Sequence, residues 1–203
     1  MKLVIVDYGM GNIKSIIGAL KYLKVREIIV SNNSHEILSA DKLILPGVGS
    51  FSVAMHNIKE LRIDKCLKDA VLVDNKPILG ICLGMQLMGE SSTEGLYTDG
   101  LGFIKGMVSK FSAPDLKIPH VGFNQVSINK NTRLFKNIND LSDFYFVHSF
   151  KMSSSANISQ SLCTYDNEFI AAYEKGNIAG VQFHPELSQI NGLKLLDNFI
   201  KYF

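Results

Sequence analysis

The sequence predicts an α/β fold: an open, mostly parallel sheet flanked by helices, with additional antiparallel strands. Two observations carry this. In the first half, short β-branched runs alternate with stretches whose apolar residues recur at helical spacing, the pattern of a parallel sheet with helices on both faces. In the second half, strand-like runs follow one another without intervening helices, which points to antiparallel strands packed beside the parallel sheet.

Leu3 to Val6 reads as a buried strand, followed by the turn Tyr8-Gly9-Met10-Gly11-Asn12. A helix follows, with Ile13, Ile16, Ile17, Leu20 and Leu23 on one face. Glu27 to Val30 and Lys42 to Leu45 are the next strands, the latter stopped by Pro46-Gly47. Val53 to about Asp74 carries helical spacing with an irregularity near Leu61-Arg62. Pro77 to Ile81 is a fourth strand and runs straight into Cys82. The strand-like runs of the second half are Val121 to Ile128, Phe144 to His148, Ser161 to Tyr165, Phe169 to Lys175 and Ile178 to Phe183. A last helix spans about Gln189 to Tyr202, with Leu193, Leu196, Phe199 and Ile200 on one face.

At 203 residues, with no internal repeat or linker, one domain over residues 1–203 is expected. Hydrophobic residues at 46% and charged residues at 20% are ordinary for a globular protein. A net charge of +2 and the lack of any Lys/Arg block argue against nucleic acid and anionic membrane surfaces. The apolar run at Leu3 to Val6 is too short for a signal peptide or a membrane span. Cys66, Cys82 and Cys163 are widely spaced and form neither a disulfide framework nor a zinc pattern. No metal or cofactor is expected, and a reducing cytoplasm is the natural compartment.

Gly80-Ile81-Cys82-Leu83-Gly84 has the form Gly-x-Cys-x-Gly between a strand and a helix, a thiol version of the nucleophile elbow. Such a turn holds the nucleophile in a strained conformation and needs neighbours without a Cβ. It also places the sulfur at a helix N-terminus, where free N–H groups favour a thiolate. Most cysteines are simply buried small apolar residues, and Cys66 and Cys163 keep that reading. The setting of Cys82 sets it apart.

A nucleophilic thiol needs a base. His184 stands in Phe183-His184-Pro185-Glu186 at a strand end, kept extended by Pro185. Residues two apart in an extended segment face the same way, so Glu186 is placed to orient the imidazole. Taken alone, this is a common solvated turn; with Cys82 it completes a nucleophile, base and orienter in chain order. His148 ends a strand and is placed either to line the pocket or to fill the core, whereas His35, His56 and His120 lack such a setting. Pro46-Gly47-Val48-Gly49 follows the third strand, and its glycines let backbone N–H groups turn toward an oxyanion. In an open parallel sheet the loops at the carboxyl ends of strands gather at one edge, which brings Gly47 to Gly49 and Cys82 together. The first turn is not a dinucleotide fingerprint, because Lys14 occupies the third glycine position.

Taken together, Pro46-Gly47-Val48-Gly49, Gly80-Ile81-Cys82-Leu83-Gly84-Met85-Gln86 and Phe183-His184-Pro185-Glu186 resemble the class I (triad) glutamine amidotransferases. Asp7-Tyr8-Gly9-Met10-Gly11-Asn12 and Pro119-His120-Val121-Gly122-Phe123-Asn124-Gln125 resemble, within that class, the glutaminase subunits of imidazole glycerol phosphate synthase, from histidine biosynthesis. The resemblance implies that Cys82 attacks the glutamine amide, that His184 moves protons and that Glu186 orients it. It implies an oxyanion hole at Val48 and Gly49, and binding of the glutamine's amino-acid end by Gln86, Ser149 and Phe150. It also implies a heterodimer with a (βα)8-barrel cyclase subunit, the oxyanion peptide being misaligned until that partner binds its ligand. A chain of this size leaves no room for an acceptor site of its own, which agrees with a separate partner.

On the expected partner face, Asn12 and the gate residue Tyr145 match the family. Phe123 stands where tryptophan is usual, and Leu187 where lysine is usual after His-Pro-Glu. These departures leave a second destination for the ammonia, an enzyme that amidinates a surface-polysaccharide sugar. A reading of another class, an inactive regulatory module of the same fold, is opposed by the intact triad.

Overall fold

The computed structural model describes residues 1–112, 116–165 and 167–203. In chain order its strands are β1 (Lys2–Val6), β2 (Glu27–Ser31), β3 (Lys42–Leu45), β4 (Ile78–Ile81), β5 (Ser91–Ser92), β6 (Thr98–Asp99), β7 (Met107–Lys110), β8 (His120–Ser127), β9 (Ser142–His148), β10 (Phe150–Ser153), β11 (Ser161–Tyr165), β12 (Asn167–Lys175) and β13 (Ile178–Val181). The helices are α1 (Ile13–Tyr22), α2 (Ser34–Leu38), α3 (Phe51–Glu60), α4 (Ile63–Lys68), α5 (Leu83–Leu87) and α6 (Gln189–Tyr202).

A nine-stranded sheet in the order β2-β1-β3-β4-β13-β12-β11-β8-β9 forms the centre. Strands β1 to β4 and β13 run parallel, and β12, β11, β8 and β9 continue the same sheet antiparallel. Successive side chains of a strand face opposite sides. Val4 and Val6 therefore join a core with α3 and α4 residues such as Phe51, Ile58 and Leu67. Leu3 and Ile5 join the other core, with Leu20 of α1 and Leu196 and Phe199 of α6. Because both faces are covered, β3, β4 and β13 are buried along their whole length, as parallel strands are. Each leucine, isoleucine and valine among them contributes about 1.5–3 kcal/mol on burial.

The helical run after Val53 breaks where its pattern falters: Arg62 adopts φ +55°, separating α3 from α4, and the latter continues as a π-helical turn over Asp69–Val73. One expectation is corrected. The run at Ile178 is not antiparallel to its neighbour on the parallel side; β13 pairs parallel with β4, Gly180 beside Gly80 and Val181 beside Ile81. A second, four-stranded sheet, β10-β7-β5-β6, and the short helix α2 were not expected. The small sheet matters for the site, because β10 carries Phe150 toward α5.

Candidate active site

The pairing of β4 with β13 builds the site. Cys82 follows β4 directly, and its N–H donates to Val181 O at 2.8 Å. The chain leaving β13 runs Gln182-Phe183-His184 beside it. Two adjacent parallel strands thus deliver the thiol and the imidazole at the same sheet edge. Cys82 has φ +53° and ψ −111°, a conformation rare for any residue with a side chain. Its glycine neighbours are needed for close approach. A Cβ on Gly80 would stand 2.7 Å from the Met85 backbone, and one on Gly84 would collide with the Leu45 carbonyl. Gly84 therefore sets how closely α5 approaches the end of β3 and the loop after it.

His184 is buried and extended, with φ −97° and ψ 97°. Its Nδ1–H donates to Glu186 Oε1 at 2.8 Å, because a carboxylate only accepts. The pair meets through a turn rather than the extended alternation that the sequence predicts. Pro185–Leu187 form a 3-10 turn that folds the carboxylate back onto the ring, with Pro185 at its first position. Nε2 of His184 is buried without a hydrogen-bond partner among the described residues and belongs to the ring that lines the cavity with Cys82. Burial pulls the imidazolium toward neutrality, but Cys82 and the Glu186 carboxylate outweigh it and raise the pKa to about 10. Thiol and imidazole share one cavity, with the carboxylate hydrogen-bonded behind the ring. Burial raises the Cys163 thiol to about 12 and shifts Cys66 upward as well.

The thiol opens into a cavity of about 260 Å³ lined by Val48, Gly49, Leu83, Gln86, Glu94, Val147, His148, Ser149 and Phe150 as well as Cys82 and His184. Candidates drawn from four separate parts of the sequence meet here. Gly49 has φ +102°, open only to glycine at low cost. The loop is held from below by Tyr8, whose hydroxyl donates to Pro46 O at 2.6 Å. Burial and the neighbouring Cys82 push that phenol above its ordinary range, so it stays a donor. Leu83, at the first position of α5, has an N–H with no intrahelical acceptor; that residue and the loop after β3 are where the elbow architecture finds oxyanion donors.

Two lining or contacting residues carry no signal in the motifs that point to the site. Gln182 is fully buried and its Nε2 lies 3.7 Å from Cys82 Sγ. It was legible in principle, two residues before His184. Glu94 brings a carboxylate to the cavity, its Oε2 accepting from Phe51 N–H at 2.9 Å; only tertiary folding joins these segments. His148 is placed both ways at once, lining the cavity and buried. Its Nδ1–H donates to Phe150 O at 2.8 Å, so Nε2 accepts, and His120 Nδ1 donates to it at 3.0 Å. Burial lowers His148 to about 3 and His120 to about 4; both rings are neutral near pH 7.

The expected interface residues lie outside the cavity. Phe123 and Tyr145 are directly opposite in the β8–β9 ladder, ring centroids 5.4 Å apart. Val121 and Val147 pair next to them on the same face, and Val121, Phe123 and Val147 are exposed. Leu187 is exposed on the turn that carries Glu186. Asn12 precedes α1, its Oδ1 accepting from the Ser15 hydroxyl at 3.0 Å. Among the described residues no group of three or more His, Cys, Asp or Glu side chains is placed to hold a metal ion, and no helix is long and apolar enough to cross a membrane.

Comparison with known proteins gives the family. The family model for glutamine amidotransferase class-I matches residues 4–202. The chain is 47% identical to imidazole glycerol phosphate synthase subunit HisH 1 of Campylobacter jejuni (strain RM1221), covering 98% of this chain and 99% of that protein. It is 45% identical to subunit HisH 2 of Vibrio vulnificus (strain YJ016), over 100% of this chain and 95% of that one. Among solved structures, a glutamine amidotransferase from Thermotoga maritima superposes with a TM-score of 0.66 at 15% identity, covering 98% of this chain and 96% of the other. With a strained cysteine, a carboxylate-backed histidine and a family match over nearly its whole length, the chain belongs to the class-I glutamine amidotransferases.

Proposed function

We propose that this chain is the glutaminase subunit of an imidazole glycerol phosphate synthase, working in the cytoplasm as one domain over residues 1–203. The Cys82 thiolate attacks the side-chain amide carbon of glutamine. The developing oxyanion is met by backbone N–H groups of the Val48–Gly49 loop and of Leu83. His184, protonated by the thiol's proton, passes that proton to the leaving nitrogen. The C–N bond breaks, ammonia departs and a glutamyl thioester remains. Water, deprotonated by His184, then attacks the thioester; the C–S bond breaks, glutamate leaves and the thiol regains its proton. Glu186 holds the imidazole with Nε2 toward the sulfur and stabilises its charged form. Glu94 supplies a carboxylate for the substrate's ammonium, and Ser149, Phe150 and Gln86 line the same cavity.

The observation that carries the reading is the convergence of Cys82, His184 and the Val48–Gly49 loop on one amino-acid-sized cavity, with Glu186 hydrogen-bonded behind His184. The destination of the ammonia rests on a second one. Val147 lines the cavity and also belongs to the exposed strip with Val121, Phe123 and Tyr145. Val147 thus joins the cavity wall to an exposed apolar strip, a surface suited to a docked (βα)8-barrel cyclase. Kinetics test this. Glutamine turnover by the isolated chain should rise at least about 100-fold with the ligand-loaded cyclase, the worth of one aligned oxyanion donor. Equal turnover with and without the cyclase would sink the partnership, and activation only by an enzyme that amidinates a sugar would redirect it.

A further inference from the structure

The fully buried side chain of Gln182 is not used by the mechanism above, yet it touches the reacting sulfur. Its orientation is fixed by a chain of hydrogen bonds that begins at a group that cannot be turned round. Phe150 O is a backbone carbonyl and only accepts, so the Gln86 atom 3.0 Å from it is the amide nitrogen, Nε2. The same nitrogen lies 2.8 Å from Gln182 and spends its second N–H there, which makes the facing Gln182 atom the oxygen, Oε1. Gln182 must then present Nε2 to Cys82 Sγ, at 3.7 Å. Turning the Gln86 amide would set its oxygen against the Phe150 carbonyl, and turning the Gln182 amide alone would set two NH2 groups against each other.

A donor aimed at sulfur discriminates between protonation states. An N–H is attracted weakly by a thiol and strongly by a thiolate, since hydrogen bonds to ionised partners are roughly twice as strong as neutral ones. Burial sharpens the difference, because water does not compete. The Val147 carbonyl oxygen, another polar atom near the sulfur, is farther off at 3.9 Å. We propose that Gln182 is a positioning residue for the nucleophile: its side-chain amide, oriented by Gln86 and ultimately by the Phe150 carbonyl, holds the Cys82 sulfur and stabilises its thiolate. The proposal rests on Cys82 being the nucleophile of the reaction above.

A consequence concerns Gln86. Both of its N–H bonds are committed to Phe150 and Gln182, so toward the cavity it offers Oε1, an acceptor. It recognises an N–H of the substrate rather than a carboxylate. Binding and thiolate formation are thereby linked through one side chain: whatever tilts Gln86 also moves the donor on the sulfur.

The test reads the thiol without reading turnover. The rate of Cys82 alkylation by iodoacetamide is followed against pH by mass spectrometry of the Cys82 peptide. Gln182→Met keeps the volume and removes the donor; Gln182→Glu keeps the shape and replaces the donor with a carboxylate. The midpoint of the profile should rise by about one pH unit in the Met variant, a tenfold loss of thiolate below the midpoint, and further in the Glu variant. One reading needs no variant. In the unsubstituted protein a Gln182 side-chain amide proton should move downfield with the same midpoint as the alkylation profile. An unchanged midpoint in a folded Met variant, or an amide resonance indifferent to the thiol's titration, would overturn the proposal. Failure of the underlying reading looks different: Cys82 of the unsubstituted protein would then react no faster than an ordinary buried thiol.

Discussion

Replacing Gly84 with alanine probes the site's geometry at its tightest point. Gly84 lies in the first turn of α5, two residues after Cys82, and faces the strand end that leads into the Pro46-Gly47-Val48-Gly49 loop. A Cβ there would overlap the Leu45 carbonyl oxygen, stand 2.8 Å from the Leu45 carbonyl carbon and 3.1 Å from Pro46 O. These are backbone atoms, so no side-chain rotation relieves the overlap; α5 and the β3 loop must separate by about 1 Å. Overpacking of this kind costs about 3 kcal/mol, which lowers the melting temperature by about 6–12 °C in a protein of this size. The same separation moves Cys82 and the Leu83 N–H away from Val48 and Gly49, and a 1 Å misplacement costs about 100-fold in rate. The assay pairs calorimetry with glutamate release in the presence of the cyclase. Gly18→Ala is the control: nothing lies within 4 Å of its Cβ position on α1, so it should stabilise by about 0.5–1 kcal/mol and leave turnover alone. A Gly84→Ala protein as stable and as active as the unsubstituted one would refute the close-approach argument.

Further outcomes follow from the same geometry. Cys82→Ala should abolish synthesis from glutamine while leaving synthesis from added ammonia intact in the complex; loss of both would mean that the substitution disrupts assembly. His184, raised from 6.5 to about 10, gives stability that is complete below pH 6.5 and is lost as pH climbs through about 10. In Glu186→Gln the imidazole titration seen by NMR should fall by one to two units, the worth of a charge-assisted hydrogen bond of about 1.5–3 kcal/mol; an unmoved titration would remove Glu186 from its role. His120 and His148 act with the opposite sign: their pKa values fall from 6.5 to about 4 and about 3, so the unfolded chain takes up their protons first. The urea midpoint should therefore decline between pH 6.5 and about 5, where unperturbed carboxylates are still ionised, and a flat profile there would contradict the neutral histidine pair.

The parallel strands and the elbow were legible because they are local: a β-branched run, two glycines about a cysteine, a proline after a histidine. What was not legible depends on distance. Nothing within Ile178–Val181 says that it pairs parallel with β4, since strand direction is set by a partner nearly half the chain away. The two-residue strands β5 and β6 are too short for any period to show. Glu94 meets the cavity only because its carboxylate caps Phe51, far along the chain. Gln182 lies inside the motif, and the same alternation that singles out Glu186 extends backward to it; a glutamine simply carries no catalytic signal until its amide is seen against the sulfur. On β8 and β9 only the resemblance set Phe123 and Tyr145 apart as surface; their strand alternation with the core-facing Phe144 and Phe146 does not say which face is covered, and the fold leaves Val121, Phe123 and Val147 exposed.

The central claim is that one thiol of three does the chemistry, and covalent trapping tests it most directly. Treated with the glutamine-like electrophile diazo-oxo-norleucine in the presence of the ligand-loaded cyclase, the protein should gain a single adduct on Cys82, leaving the buried Cys66 and Cys163 untouched. Glutamine should protect against it, and Cys82→Ala should show none. An adduct on another cysteine, or none at all on Cys82, would contradict the account.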